Sequence, residues 1–178
     1  MKKIVLWAVA IVLGAYVLLV IFRIPAVLNQ QKTAEVVAKI HETKLALDDV
    51  MGKNLPPDPG PDADKTIEGI DANKNGIRDD AELAIFKEYQ NSAKNAAAAY
   101  QYAKALQMEF THVYNSETLV AVIQEEGRGS FCIGDHDDRV KEVENLVFNT
   151  EIRIQAREEI YKKYMTSFGL LDNDVCDI

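Results

Sequence analysis

Asp71-Ala72-Asn73-Lys74-Asn75-Gly76-Ile77-Arg78-Asp79-Asp80-Ala81-Glu82 divides this chain in two. Before it the sequence is an apolar run, an amphipathic stretch and a proline cluster. After it nearly every segment carries helical periodicity. The twelve residues fill the pattern D-x-[DN]-x-[DN]-G-x5-E, a spacing suited to a hard cation that takes six to eight oxygens at about 2.3–2.6 Å. For calcium, the expected ligands are the side-chain oxygens of Asp71, Asn73 and Asn75 and the backbone carbonyl of Ile77. Asp79, directly or through a water, and both carboxylate oxygens of Glu82 complete the shell. Gly76 stands where the chain must turn sharply.

The loop departs from a paired EF-hand. Its apolar residue, Ile77, is at loop position seven, and Arg78 takes position eight, where a paired hand has the residue that joins its partner. The preceding Lys65–Ile70 contains Gly69 and makes a poor entering helix, and no second loop of this kind occurs in the chain. The arrangement is similar to the loops of thrombospondin type 3 repeats and dockerins. Asp71, Asp79 and Glu82 are the only anionic ligands, and Lys74 and Arg78 lie among them, which places the affinity near that of extracellular modules, roughly 10⁻⁴–10⁻³ M. Such a site is structural rather than a cytosolic sensor. The alternative is an acidic helix-capping turn without metal.

Upstream, Met1-Lys2-Lys3 precedes an uninterrupted apolar run from Ile4 to Phe22, followed by Arg23. Its 19 residues cover about one bilayer thickness. A cleaved signal peptide competes with this reading, but its apolar core is usually about 7–15 residues, and no small-x-small cleavage site or lipobox cysteine follows Phe22. The expectation is an uncleaved single-pass anchor in an inner membrane. The charge bias puts the N-terminus in the cytoplasm and the remainder in the periplasm. Residues 1–3 form a cytoplasmic tip, 4–23 the transmembrane helix, 24–52 a membrane-proximal helix, 53–70 a proline-rich strap and 71–178 a helical domain.

Composition agrees with export. The 155 residues after Arg23 carry 28 acidic and 17 basic side chains, a net of −11. That balance opposes nucleic-acid binding, which needs basic clusters, and suits a basic partner. Two cysteines, Cys132 and Cys176, are far apart and form no C-x-x-C pair. In an oxidising compartment they most simply make one disulfide, which would contribute about 3–4 kcal/mol by loop closure.

The membrane-proximal helix presents Val36, Val37, Ile40, Leu47 and Met51 on one face, with His41 read as a surface histidine. Four prolines between Pro56 and Pro61 exclude helix and favour extended structure. After the loop, a first helix buries Leu83, Phe86 and Tyr89 or Gln90, and Ser92 caps a second. Its stripe is Ala93, Ala96, Ala97, Tyr100, Ala103, Leu106, Phe110 and Val113. Ser116 caps a short third helix that ends near Gly127-Arg128-Gly129. Beyond Cys132, Asp135-His136-Asp137-Asp138 forms an acidic turn that reads as a helix start more readily than as a second metal site. Val140, Val143 and Val147 give the next helix its face. Asn149-Thr150 breaks it before a last helix whose inward side carries Ile154, Tyr161, Tyr164, Met165 and Phe168, with Gly169 as a stop. No useful strand pattern appears, and the fold class is all-α: a small helical bundle behind an anchor.

Two stretches carry a resemblance together. One is Leu55-Pro56-Pro57-Asp58-Pro59 leading into Gly69-Ile70-Asp71 through Glu82; the other is Cys132, Phe148-Asn149-Thr150-Glu151-Ile152-Arg153 and the terminal cysteine. The combination resembles exported proteins of Gram-negative bacteria to which no activity is assigned. The likeness runs from about Leu55 to Ile178 and implies export and the loop, with no mechanism. It also raises a functional role for Asn149–Arg153, against the simpler account of a capped helix junction.

The expected function is therefore a membrane-anchored periplasmic calcium-binding accessory or interaction protein that meets another envelope protein. The second reading is an immunity or inhibitor protein tethered where a toxin would act. The third is an envelope-acting enzyme. Glu125 and Glu126 are its nearest carboxylate pair, but adjacent helical positions point apart. His112 and Ser130 form no recognisable triad, and Ser130 lacks a G-x-S-x-G elbow.

Overall fold

Ser92 starts the helix around which the others are arranged: its hydroxyl accepts from the Asn95 N–H at 3.3 Å, satisfying one of the orphan donors of a helix N-terminus. The structure is a computed structural model that describes residues 2–134, 137–169 and 176–178. In chain order its helices are α1 (Lys2–Glu42), α2 (Leu47–Val50), α3 (Asp79–Tyr89), α4 (Ala93–His112), α5 (Ser116–Ile133), α6 (Asp137–Val147) and α7 (Glu151–Tyr164). One 3-10 turn, Gly60–Asp64, lies in the proline-rich segment. There is no strand among the described residues. The chain forms two compact units, Met1–Val36 and Val37–Ile178.

In the first unit α1 carries a window of mean hydropathy 2.8 that buries nothing within the chain, so it is long and apolar enough to cross a membrane. The helix runs through Pro25 without a break. It does not extend to residue 52 as periodicity suggests. Thr43 closes the end of α1 by donating its hydroxyl to the Lys39 carbonyl (2.8 Å), and the Leu45 N–H is taken by Asp177 (2.9 Å). Only one further turn, α2, follows. Accordingly Ile40 is buried, whereas Leu47 and Met51 are exposed, and Leu45 and Val50 reach the core instead.

In the second unit α4 packs against α2, α3, α5, α6 and α7. This central position explains why Ala96 to Ala103 are buried on every side, not along one stripe. Alanine at successive positions lets several helix backbones approach at once. The core around it takes Ile77, Ala81, Ile85 and Tyr89 from the α3 region, Ile133 from α5, Val143 and Val147 from α6, and Phe148 just after it. On α3 the buried stripe is thus rotated from the expected Leu83 and Phe86, though Phe86 still packs at the core's edge.

The third post-loop helix is longer than expected. Asn115, not Ser116, is its cap, in a reciprocal capping box with Thr118. It then passes straight through Gly127 and Gly129 to Ile133. Gly129 is a contact residue rather than a stop: a Cβ there would lie 2.8 Å from Cα of Tyr102. The glycine lets α5 cross α4 at close range. Gly134, with φ +80°, terminates the helix.

Cys132 therefore sits in the last turn of α5, and it is bonded to Cys176 with a Cα–Cα distance of 5.7 Å. Asp135 and His136 lie outside the described residues, and Asp137 and Asp138 open α6. The last helix also differs from expectation. Its one buried side chain is Arg153, while Ile154, Met165 and Phe168 are exposed, and it ends at Tyr164 before Gly169. The proline segment is not wholly extended, since it folds into the Gly60–Asp64 turn and buries Pro56 and Ala63.

Gly129→Ala should force α4 and α5 apart and destabilise the chain by about 1–3 kcal/mol. Thermal unfolding of the full-length protein in detergent, followed by circular dichroism, should show a lower Tm than wild type. A Tm equal to wild type would mean that the close crossing is not required.

Candidate functional site

The loop at residues 71–82 is held by its own side chains. Lys74 (φ +59°) and Gly76 (φ +90°) alternate with ordinary residues and curl the backbone, and only the glycine adopts this region without cost. Asp71 Oδ1 accepts from the Asn75 N–H (3.2 Å) and Oδ2 from the Gly76 N–H (2.9 Å). Asn73 Oδ1 accepts from the Asn75 N–H at 3.3 Å, and Asn75 Oδ1 from the Ile77 N–H at 2.9 Å. Asp79 Oδ1 accepts from the Ala72 N–H at 2.9 Å, while its own N–H donates to the Ile70 carbonyl at 2.8 Å. Asn73 Nδ2 reaches across to Glu82 (3.0 and 3.3 Å) and to the Asn54 carbonyl (2.9 Å).

Four of the six expected ligand residues, Asp71, Asn73, Asn75 and Glu82, are thereby linked through their side chains, while Asp79 bonds Ala72 and Ile70 instead. Ile77 joins through its N–H, and its side chain is a core residue. Glu82 is fully buried, and burial pushes its pKa up to about 7; Asp49 and Asp71 add to the rise, and the Asn73 and Asn75 amides oppose it. Asp79 is raised chiefly by burial too, with Asp71 and Asp80 contributing and the Ala72 N–H opposing. Two buried atoms here, Asp79 Oδ2 and Asn75 Nδ2, have no hydrogen-bond partner. The Asn75 amide thus eases the Glu82 charge from nearby without a hydrogen bond of good geometry. No group of three or more His, Cys, Asp or Glu is placed to hold a metal ion among the described residues. Any cation in this loop would need asparagine and backbone oxygens beside the carboxylates.

The residue at loop position eight has a different task. Arg78 is fully buried, and its guanidinium binds Asp80, the carbonyls of Val147 (3.0 Å) and Leu146 (3.3 Å), and Asn149 Oδ1 (3.1 Å). Asn149 returns a bond from Nδ2 to Asp80 at 2.9 Å. Burial would raise the Asp80 pKa, but Arg78 and Asn149 hold it below the ordinary carboxylate value. From the other side Arg153, also buried, donates to Asn149 Oδ1 (2.7 Å), Asp64 (2.6 Å) and the carbonyls of Ala63 (2.7 Å) and Ile67 (3.0 Å). Thr150 caps α7. The Asn149–Arg153 run is a helix junction, and it clamps the loop and the proline segment to α6 and α7. Sequence reasoning took Arg78 as a charged loop residue and missed Arg153 as a core residue. Arg78 directly follows the buried Ile77, which was an available signal, whereas Arg153 follows the exposed Ile152 and no local pattern marks it.

A second buried polar cluster spans α4, α5 and α7. Glu109 accepts from Arg157 at 3.0 Å, and Tyr161 donates to Glu109 (3.4 Å) and Glu126 (3.3 Å). Burial raises both carboxyls, and Glu109 raises Glu126 further, so Glu126 keeps its proton well above the usual range. Its neighbour Glu125 points elsewhere, to Arg128 (2.6 and 2.8 Å) and to His41 Nδ1 (2.8 Å). His41 is therefore a paired, partly buried residue and not a free surface histidine. His112 and Ser130 are each engaged locally, with Thr111 (2.8 Å) and the Gly127 carbonyl (3.0 Å).

Comparison with protein families, with curated proteins and with solved structures gave no match for this chain.

Asn149→Ala removes acceptors from two buried guanidiniums and a donor from Asp80; the expected loss is about 2–4 kcal/mol, read as a lower urea midpoint. Glu126→Gln tests the buried pair. The native state holds a proton that the unfolded chain releases near its ordinary value of 4.5, so this stabilisation is complete below that value and is lost as pH rises through the native one. The Tm of the glutamine variant relative to wild type should therefore be higher at about pH 8 than at about pH 5. A pH-independent difference would contradict the raised pKa.

Proposed function

We propose that residues 71–82 bind calcium and that the chain is a membrane-anchored periplasmic accessory protein in which the metal has a structural role. The observation that carries this is the loop's donor set. Asp71, Asn73, Asn75, Asp79 and Glu82 stand at the sequence spacing of a calcium loop, with a fully buried Glu82 and an unpartnered Asp79 Oδ2. Burying carboxylates without compensating charge is unfavourable, and a divalent cation would remove that penalty. Such a cation would take the Asn73 and Asn75 carbonyl oxygens and the Ile77 carbonyl as neutral ligands. Asp71 would supply one carboxylate and Glu82 would close the shell. The apolar helix α1 supports anchoring, and its flanking Lys2, Lys3 and Arg23 favour the cytoplasmic N-terminus. The acidic remainder suits a soluble, exported unit that docks on another envelope protein.

A structural role follows from where the loop sits. Its position-eight arginine and the adjoining Asp80 fasten the loop to α6 and α7, so a cation that stiffens the loop stabilises the whole unit. With calcium about tenfold above its dissociation constant the gain is about 1.4 kcal/mol, or roughly 3–6 °C in Tm for a domain of this size. Full-length protein in detergent should show that rise at millimolar calcium, and Asp71→Ala and Glu82→Gln should each remove most of it. An unchanged melting curve across millimolar calcium would sink the assignment. Capture of membrane partners with calcium and with chelator then separates cement from recognition: a partner kept in both conditions makes the metal purely structural.

A further inference from the structure

Beside the loop, and sharing Asp71 and Asn75 with it, lies a cleft of about 320 Å³. Asp71, Lys74, Asn75 and Gly76 form one wall, and Lys39, Lys104, Gln107 and His112 form the others. In a chain of net charge −8, three lysines line this cleft. Lys39 and Lys74 are exposed and make no ion pair or side-chain hydrogen bond among the described residues. Lys104 lies across the loop because Gly76 has no side chain: a Cβ there would meet Lys104 Cε at 3.0 Å. The Lys104 ammonium donates to the Lys44 carbonyl at 3.0 Å; burial lowers its pKa, and the charges of Asp177, Asp49 and Asp71 oppose that shift. Glu68 and Asp71 also border the cleft, and Asp71 is already engaged by two loop N–H groups. Burial and the Lys39 charge both disfavour protonation of His112, so the lysines are the cations that an incoming ligand meets.

We infer that this cleft binds a small phosphate monoester, with the phosphate among Lys39, Lys74 and Lys104. The volume is that of a small-ligand pocket, about 300–1,000 Å³. Ammonium groups act on phosphate as point charges placed around a tetrahedral anion. No arginine lines the cleft, so the planar fork that favours a carboxylate is missing. The inference needs no metal in the loop, although calcium neutralising Asp71 would strengthen anion binding.

The test is isothermal titration of full-length protein in detergent with glycerol 3-phosphate and, separately, with short-chain phosphatidic acid, each with calcium and with chelator. Saturable binding of either is expected, and the two arms distinguish a soluble ester from a lipid headgroup. Lys39→Gln combined with Lys74→Asn should weaken binding at least about tenfold while the ligand-free Tm stays at the wild-type value. Both residues are exposed, and asparagine tolerates the positive φ at position 74. Absence of saturable binding in both arms, or a loss of less than that in the double variant, overturns the inference. Calcium also binds phosphate esters directly, so the calcium reading is judged by the melting curves alone, and its failure is seen separately from that of this inference.

Discussion

The buried guanidinium of Arg78 is the constraint on which the rest of this unit depends. It leaves the loop at residues 71–82, reaches the last carbonyls of α6 and shares Asn149 with Arg153. Arg153 then holds the carbonyls and carboxylate of residues 63–67. Two buried cations with fork-shaped donors need many acceptors at once. Here the acceptors come from helix ends and from an irregular segment whose carbonyls have no ladder to join. Each side satisfies the other, so the proline-rich segment, the loop and the α6–α7 junction form one construction.

This explains how a chain with so many polar buried groups maintains a bundle. The alanine-rich stretch of α4 brings helix backbones close, and the same helix adds Tyr100, Tyr102 and Leu106 to the core. Its neighbours supply further large apolar side chains, notably Ile85, Val143, Val147 and Phe148. Between them lie two charge clusters. Glu109 and Glu126 share the Tyr161 hydroxyl, and Glu109 also accepts from Arg157. Near the end of α1, Asp177 accepts from Arg128 (2.6 Å), Lys44 (3.2 Å) and the Leu45 N–H (2.9 Å), contacts that hold its pKa low against burial. The Cys132–Cys176 bond delivers Asp177 to that position. The disulfide does more than shorten the unfolded chain, because it sets a buried acceptor beside the break that ends α1.

The proposed calcium loop takes its meaning from this setting. Its spacing marks it out in the sequence, but its place in the molecule is given by residues outside the ligand set. Ile77 points into the core, Arg78 into the clamp, and Asp80 back to Asn149. A loop fastened in this way transmits its own rigidity to the bundle.

Much was legible beforehand, and for definite reasons. Hydrophobic period and capping residues are local properties, so the all-helical class, the long apolar α1, the starts at Ser92 and Thr150, and the Val143–Val147 face can be read from the chain. The chain's two cysteines allow only one intramolecular bridge, and the structure forms it. What failed were judgements that depend on a neighbour. Gly129 reads as a stop until Tyr102 is seen against it. Leu47 and Met51 read as a buried face until Asp177 takes the Leu45 N–H and ends the helix. Arg78 and Arg153 read as solvated charges until each meets carbonyls that lie far away in sequence. The sequence by itself determined the elements and the ligand spacing of the loop, because backbone propensity and short-range geometry act within a few residues. Only the tertiary structure decided which glycines, arginines and carboxylates are buried, because burial depends on segments that meet only when the chain has folded.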